Sequence, residues 1–424
     1  MESKTAELRE ADTKLAQTDS QIHKATDHLR RSQNAAGRYV PPPAPLAPAS
    51  GHRLLPRATA NPFASATPPV NGSIHEEQRL ALTVLAPEFD VPSQSFPEGA
   101  GAPDLYLHPP VGLHALAACT NGFLIQSLAD EASRLHPQSP VLLALPGNFE
   151  ACKRESARVL SLNHGRPRIA VLLPETLKHI GPALEKDSRF QAFTNLLSQF
   201  QGVVSTDAKT ARLVESLTVV TRHLHLPFPS PIDSNEWEFS TTIEKRSPGL
   251  FLSADGFDPG SDQHNALLGL ISHLATDHHI PLTVYHHKPG SIPELDVPDD
   301  LLEFPEPKLN YVQYLSLVAT HRFVAGFGSN LAGGDIRGDA LLCRNLFVGI
   351  QDDDAEKIFA GTIAPSDELE NIAIHVNNLA NDSQLYLDHV EKSQWLALEK
   401  LSFQAARGRL EDFVQSFTMP ALTA

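Results

Sequence analysis

From about residue 79 onward, short unbroken apolar runs alternate with stretches whose apolar residues recur at helical spacing. The runs Leu80–Leu85, Leu105–Leu107, Val141–Leu145, Ile169–Leu173, Val203–Ser205 and Val219–Leu226 predict strands. Helices are predicted near 114–135 and 149–160, across 176–200, and from Asp207. Strands that lack in–out alternation are buried on both faces, which points to parallel sheet covered by helices on either side. Residues 227–248 interrupt this texture with Pro227, Pro229, Pro231 and a polar stretch, and read as an interdomain connection. A second series then begins at Leu250–Ser253. It continues through a helix over 261–277 with Leu267, Leu268, Ile271 and Leu274 on one face, strand Leu282–His286, a helix at 310–319 and strand Phe323–Ala325. A helix at 335–344, strand Leu346–Gly349 and helices across 366–417 complete it.

The first 80 residues have a different character. Leu8, Leu15, Ile22 and Leu29 recur every seven residues within a charged, helix-prone stretch, but the companion positions Ala11, Thr18 and Ala25 make a thin seam. A short coiled coil and a lone solvated helix both fit that pattern. The Pro- and Ala-rich stretch that follows cannot bury a core and reads as a disordered linker. The expected organisation is therefore an N-terminal helix over 1–33, a linker over 34–78, a first Rossmann-like domain over 79–230 and a hinge over 231–248. A second Rossmann-like domain over 249–380 and C-terminal helices over 381–424 follow. The fold class is α/β, and ligands in such open sheets sit beyond the carboxyl ends of the strands.

Charge and composition narrow the function classes. A formal net charge of -16 disfavours general nucleic-acid or anionic-membrane binding. Three cysteines, far apart and in segments read as helical, point to free buried thiols in a reducing compartment. No apolar run reaches the ~18–20 residues of a membrane span, and the N-terminus is polar, so a cytoplasmic protein without a transmembrane segment is expected.

The densest chemistry lies at Val324–Gly349: a strand, a loop carrying Gly326, Gly328, Gly333 and Gly334, a short helix and another strand. Such a loop lets the backbone approach a ligand closely, and Arg337 and Asp339 open the helix where an anion and a hydroxyl could be held. A glycine-rich turn that only joins two buried strands is the plainer alternative. His278-His279 and His286-His287 lack a carboxylate or cysteine at metal-ligand spacing, and Asp352-Asp-Asp354 reads as a solvated acidic loop, so no metal is assigned. His164, His179, Glu150 and Glu175 follow strands of the first half, and the two histidines are the candidates for a base near an acceptor.

Three passages resemble a GT-B fold glycosyltransferase of the retaining, group 1 type. Gly202–Leu213 followed by Leu224–Asp233 is similar to the end of that family's acceptor domain, with its Pro-Ile-Asp hinge. Leu250–Gly256 resembles the first βα unit of the donor domain, and Tyr311–Gly349 resembles the donor-site segment. The resemblance covers roughly residues 100–417. It implies transfer of a sugar from a nucleotide diphosphate to an acceptor, which could be a glycan, a lipid or a protein, with the nucleotide sugar as substrate and no separate cofactor. It places donor-binding residues at Gly326, Gly328, Ser329, Asn330, Arg337, Asp339 and Lys288, with Asp339 at the second carboxylate of an E-x7-E motif, where the family binds the ribose. The sequence departs from the pattern at two places. The first carboxylate position is Leu331, and the loop that carries a basic pair in the family is the acidic Ser253–Asp262. A GT-B-like binding or assembly module that has lost catalysis, associating through residues 1–33, is the alternative. A nucleotide-sugar epimerase on the same scaffold is a third reading, without visible motifs of its own.

Overall fold

A computed structural model describes residues 81–417 apart from segments 98–109, 129–138, 163–165, 185–186, 218–219, 221, 235–241, 243–244, 287–292, 306–307, 328–335, 351–352, 360 and 365–367. The helix and linker expected over 1–33 and 34–78, and the strand expected at Leu105–Leu107, lie outside the described residues.

The first half is built on β1 (Thr83–Leu85), β2 (Gln94–Ser95), β3 (Phe123–Ile125), β4 (Val141–Ala144), β5 (Arg168–Leu172), β6 (Gly202–Ser205) and β7 (His223–His225). Their order is β2-β3-β1-β4-β5-β6-β7, parallel throughout except for the antiparallel β2 at one edge. Between them run α1 (Leu113–Ala118), α2 (Phe149–Leu160), α3 (Pro174–Leu184), α4 (Asp187–Leu197) and α5 (Ala208–Ser216). Side chains Asn148 and Asp207 accept the first free backbone N–H groups of α2 and α5, which fixes where those helices start.

The second half holds β8 (Ser247–Ser253), α6 (Asp262–His278), β9 (Leu282–Tyr285), β10 (Leu302–Glu303), α7 (Tyr311–Val318), β11 (His321–Gly326), α8 (Ile336–Leu342), β12 (Leu346–Phe347), β13 (Gly349–Ile350), α9 (Asp353–Glu356) and β14 (Ile363–Ala364). A parallel sheet of order β10-β9-β8-β11-β12 forms its centre, and β13 pairs with β14 beside it. Three helices close the chain: α10 (Leu369–Asn381), α11 (Ser383–Leu401) and α12 (Phe403–Gln415).

Each half is thus a parallel sheet sandwiched by helices. In the first sheet, alternate residues feed opposite cores. Val84, Leu142, Val171 and Val204 pack with α1, while Leu85, Leu143, Leu172 and Val203 pack with Cys152, Phe193 and Val214 of α2, α4 and α5. The core on the α1 side also contains Phe403, Leu410, Phe413 and Val414 of α12, so the last helix returns to the first sheet.

That return is tied to the hinge. The Ser230 N–H donates to the Leu401 carbonyl at 2.8 Å, and Ser230 bridges to Ser402. The Asp233 carboxylate accepts from the Phe403 N–H at 3.2 Å and from the Gln404 N–H at 2.9 Å, completing the cap begun by Ser402. Because two helix N–H groups depend on it, Asp233→Ala is expected to cost about 1–2 kcal/mol in urea unfolding, with Asp233→Asn intermediate. An unchanged unfolding midpoint for Asp233→Ala would show that the cap carries no weight.

Three expectations need correcting. The helix expected near 114–135 ends at Ala118, because Asn121 takes a left-handed φ of 56° and a Cβ on Gly122 would sit 2.0 Å from the Leu82 carbonyl oxygen. The chain then continues as β3. The strand expected at Leu346–Gly349 is two strands in different sheets, joined through Val348. Asp353 and Asp354 begin the helix α9 rather than sitting in a loop.

Candidate functional site

The carboxyl ends of the two sheets meet across a gap. After β5, helix α3 carries Lys178, whose Nζ lies 3.8 Å from Oδ2 of Asp258 in the loop following β8. Both side chains are largely exposed, so the pair marks proximity more than it adds stability. On the second sheet, the loops after β8 and β11 touch directly. Gly256 adopts φ +83°, and a Cβ there would lie 2.5 Å from the Phe327 carbonyl oxygen, so only glycine permits this approach. The rings of Phe257 and His264 close around Phe327, with centroids 5.0 and 5.2 Å from it. Nδ1 of His264 accepts the Asp258 N–H at 2.9 Å, which places the neutral ring's proton on Nε2. Burial lowers the His264 pKa, and the Asp258 charge opposes that shift.

Behind these loops stands Asp339, on α8 and only 3% exposed. The Tyr311 hydroxyl, from the first turn of α7, donates to its Oδ1 at 2.5 Å. Tyr314 lies one turn further along, its ring stacked on Tyr311 with centroids 6.0 Å apart. Burial, and then the neighbouring carboxylate, push both phenol pKa values well up, so the hydroxyls stay protonated as donors. The Cys343 thiol is raised by the same two causes and donates to the Leu315 carbonyl.

Side chains two positions apart on a helix point about 200° apart. Arg337 accordingly faces away from Asp339 and lines a cavity of about 320 Å³ between the two halves. Its walls come from the end of the first half (Pro227, Phe228), from α9 and the turn after it (Lys357, Ile358, Phe359), and from α11 and α12 (Lys400, Arg409). Gly338 packs its α-carbon side against Ser230, which holds this face of α8 to the hinge.

The structure therefore separates Arg337 from Asp339 rather than joining them at one point. Gly326 ends β11, where an added Cβ would meet Ile336 at 3.2 Å. His179 is exposed on α3 beside Lys178, and packs over Gly147 in the loop after β4. Glu150 sits exposed in the first turn of α2, paired with Lys153 at 2.9 Å, and Glu175 lies in α3. Gly328, Ser329, Asn330, Lys288 and His164 lie outside the described residues. Strand β9 ends at Tyr285, one residue before His286. Among the described residues no group of three His, Cys, Asp or Glu side chains is placed to hold a metal ion, and no helix is long and apolar enough to cross a membrane.

Sequence reasoning missed Tyr311 and Tyr314, Lys178, and the lysines and arginine of the cavity. The tyrosines had a legible trait: two of the chain's 6 tyrosines stand three apart just after the helix-starting Asn310. Lys357, Lys400 and Arg409 come from distant segments and share no local pattern.

No protein-family model matches the chain, and neither does any curated protein. Solved structures do align with it. TarM is 11% identical over 72% of this chain and 58% of its own, with a TM-score of 0.47. The α,α-trehalose 6-phosphate synthase of Burkholderia multivorans is 9% identical over 72% of this chain and 76% of its own, with a TM-score of 0.48. A UDP-forming trehalose-phosphate synthase of Burkholderia xenovorans is 10% identical over 68% and 76%, with a TM-score of 0.47. These are GT-B glycosyltransferases, the type the sequence resembles. The chain spans little more than half the length of TarM.

Proposed function

We propose that this chain is a GT-B-like glycosyltransferase that takes a nucleotide-diphosphate sugar on its second half and an acceptor on its first. The observation that carries this is the meeting of the carboxyl ends of two parallel sheets, spanned by Lys178 and Asp258. Ligands of open α/β sheets bind at that edge, and a gap between two such edges brings two substrates together. The domains proposed are 79–230 for the acceptor and 249–380 for the donor, hinged over 231–248 and braced by the helices of 381–424.

In this assignment the glycine-rich segment from Gly326, through Gly328, Ser329 and Asn330, approaches the diphosphate, and Lys288 supplies charge. Asp339, oriented by the Tyr311 hydroxyl, accepts from a ribose hydroxyl. Arg337 contributes positive potential from the cavity side. His179, with His164, stands on the acceptor side as candidate base. A departing diphosphate is stabilised by positive charge or oriented N–H groups. Asp255, Asp258 and Asp262 at the first donor loop work against that, and they favour the second reading, a binding scaffold that has lost transfer.

Isothermal titration against UDP-, GDP- and ADP-sugars separates the two. One nucleotide sugar should bind with a dissociation constant of about 1 mM or tighter, and Asp339→Asn, which keeps the side-chain shape, should weaken it about tenfold or more. A folded protein that binds no member of the panel at millimolar concentration would refute the transferase assignment in favour of the scaffold.

A further inference from the structure

The cavity between the halves concentrates positive charge in a chain of net charge -16. Arg337, Lys357, Lys400 and Arg409 line it against a single carboxylate, Glu399. Among the described residues neither Lys357 nor Lys400 forms an ion pair with another side chain. Arg409 is anchored by its guanidinium, which donates to the backbone carbonyls of His225 and Lys400. The rest of the wall is apolar and comes from Phe228, Ile358 and Phe359. A volume of about 320 Å³ is the lower end of what small-molecule sites offer, enough for a phosphorylated sugar-sized molecule and small for a nucleotide sugar.

We propose that this cavity is a binding site for a small phosphomonoester, separate from the donor cleft. Lys357 and Lys400 would take the phosphate and the apolar wall would take the body of the molecule. The walls belong to the end of the first half, to the second half, and to the helices that return to the first sheet. Occupancy would therefore tie the two halves together, and a bound phosphomonoester would restrain opening about the hinge. Its test does not depend on the donor assignment, because Lys357 and Lys400, unlike Arg337, have no part in that assignment, and Asp339 and the loops after β8 and β9 do not line the cavity.

The test is calorimetric titration of the full chain with glucose 6-phosphate, inorganic phosphate and glucose. Glucose 6-phosphate should bind with a dissociation constant of about 1 mM or tighter, and glucose should not bind. The double variant Lys357→Gln/Lys400→Gln should weaken binding about tenfold or more, and 0.5 M salt should weaken it as well. Both lysines sit at the rim without side-chain hydrogen bonds, so the variant should keep the parent's unfolding midpoint. Inorganic phosphate binding as tightly as the ester, with the same loss in the variant, would support an anion site and overturn the assignment to an ester. No binding of either phosphate, or binding unchanged in the double variant, would overturn the proposal altogether. Asp339→Asn should leave phosphate binding intact, so failure here and failure of the donor assignment give different results.

Discussion

Leu410→Ala should destabilise the protein by about 3 kcal/mol, although the residue lies near the end of the chain. Leu410 is 0% exposed and packs in the same core as Leu113 of α1 and Leu142, Ile169 and Val204 of the first sheet. Its removal leaves a cavity that rigid strands on one side cannot fill. The same helix places Phe413 where a Cβ on Gly202 of β6 would sit 2.5 Å from the ring, so α12 and the sheet are fitted to each other. Trp395 on α11, 60% exposed, is the contrast: Trp395→Ala should cost less than about 0.5 kcal/mol. Urea unfolding of the two variants checks both values. Equal, small effects would mean that the terminal helix is an appendage and that the hinge is not spanned from behind.

The second large effect is an alkaline loss of stability. Burial holds Cys119 and Cys152 up at about 12, and Cys343 well above the ordinary thiol value of 9.0. Tyr311 and Tyr314 are held well above 10.0, and Tyr386 at about 12, again mainly by burial. These are raised folded-state values, so their contribution is complete below the unfolded values and declines as pH rises from about 9 towards 12. In that window the unfolded chain releases protons that the folded chain keeps, and each retained proton costs about 1.4 kcal/mol per pH unit. Unfolding free energy should therefore fall by about 5 kcal/mol or more between pH 8 and pH 10.5. The double variant Cys119→Ala/Cys152→Ala should start lower and decline less steeply. Stability that stays level to pH 10.5 would contradict the burial of these groups.

Much of this fold could be read in the sequence, because parallel strands buried on both faces leave unbroken apolar runs. Val141–Leu145, Ile169–Leu173 and Val203–Ser205 each fell within a residue of the strand found. Asp207 and Asn310 sit where helices start, as their side-chain chemistry requires. The helix placed near 114–135 went wrong where tertiary contact outweighed propensity. The Asn121-Gly122 pair is a turn signature, and it stops the helix because β3 must cross beside Leu82. Strand Leu346–Gly349 looked continuous because register between two sheets leaves no mark on a four-residue apolar run.

The site was legible only in part. Asp339 and Arg337 stood out beside the glycine loop, but their opposite orientations follow from helix geometry and not from residue type. In the sequence Asp258 is one acid among several in its loop, and its position opposite Lys178 depends on how the two halves are set by the hinge and α12. The cavity is assembled from residues as far apart as Pro227 and Arg409, so periodicity and motif spacing carry no trace of it.

The central claim is that a nucleotide sugar occupies the second sheet's carboxyl edge. Amide hydrogen exchange on the full chain, with and without the nucleotide sugar that binds in titration, tests it most directly. The account predicts slowed exchange in peptides covering 253–262 and 311–343, with smaller changes in α3 as the halves close. Protection confined to other regions, or none at saturating nucleotide sugar, would contradict it.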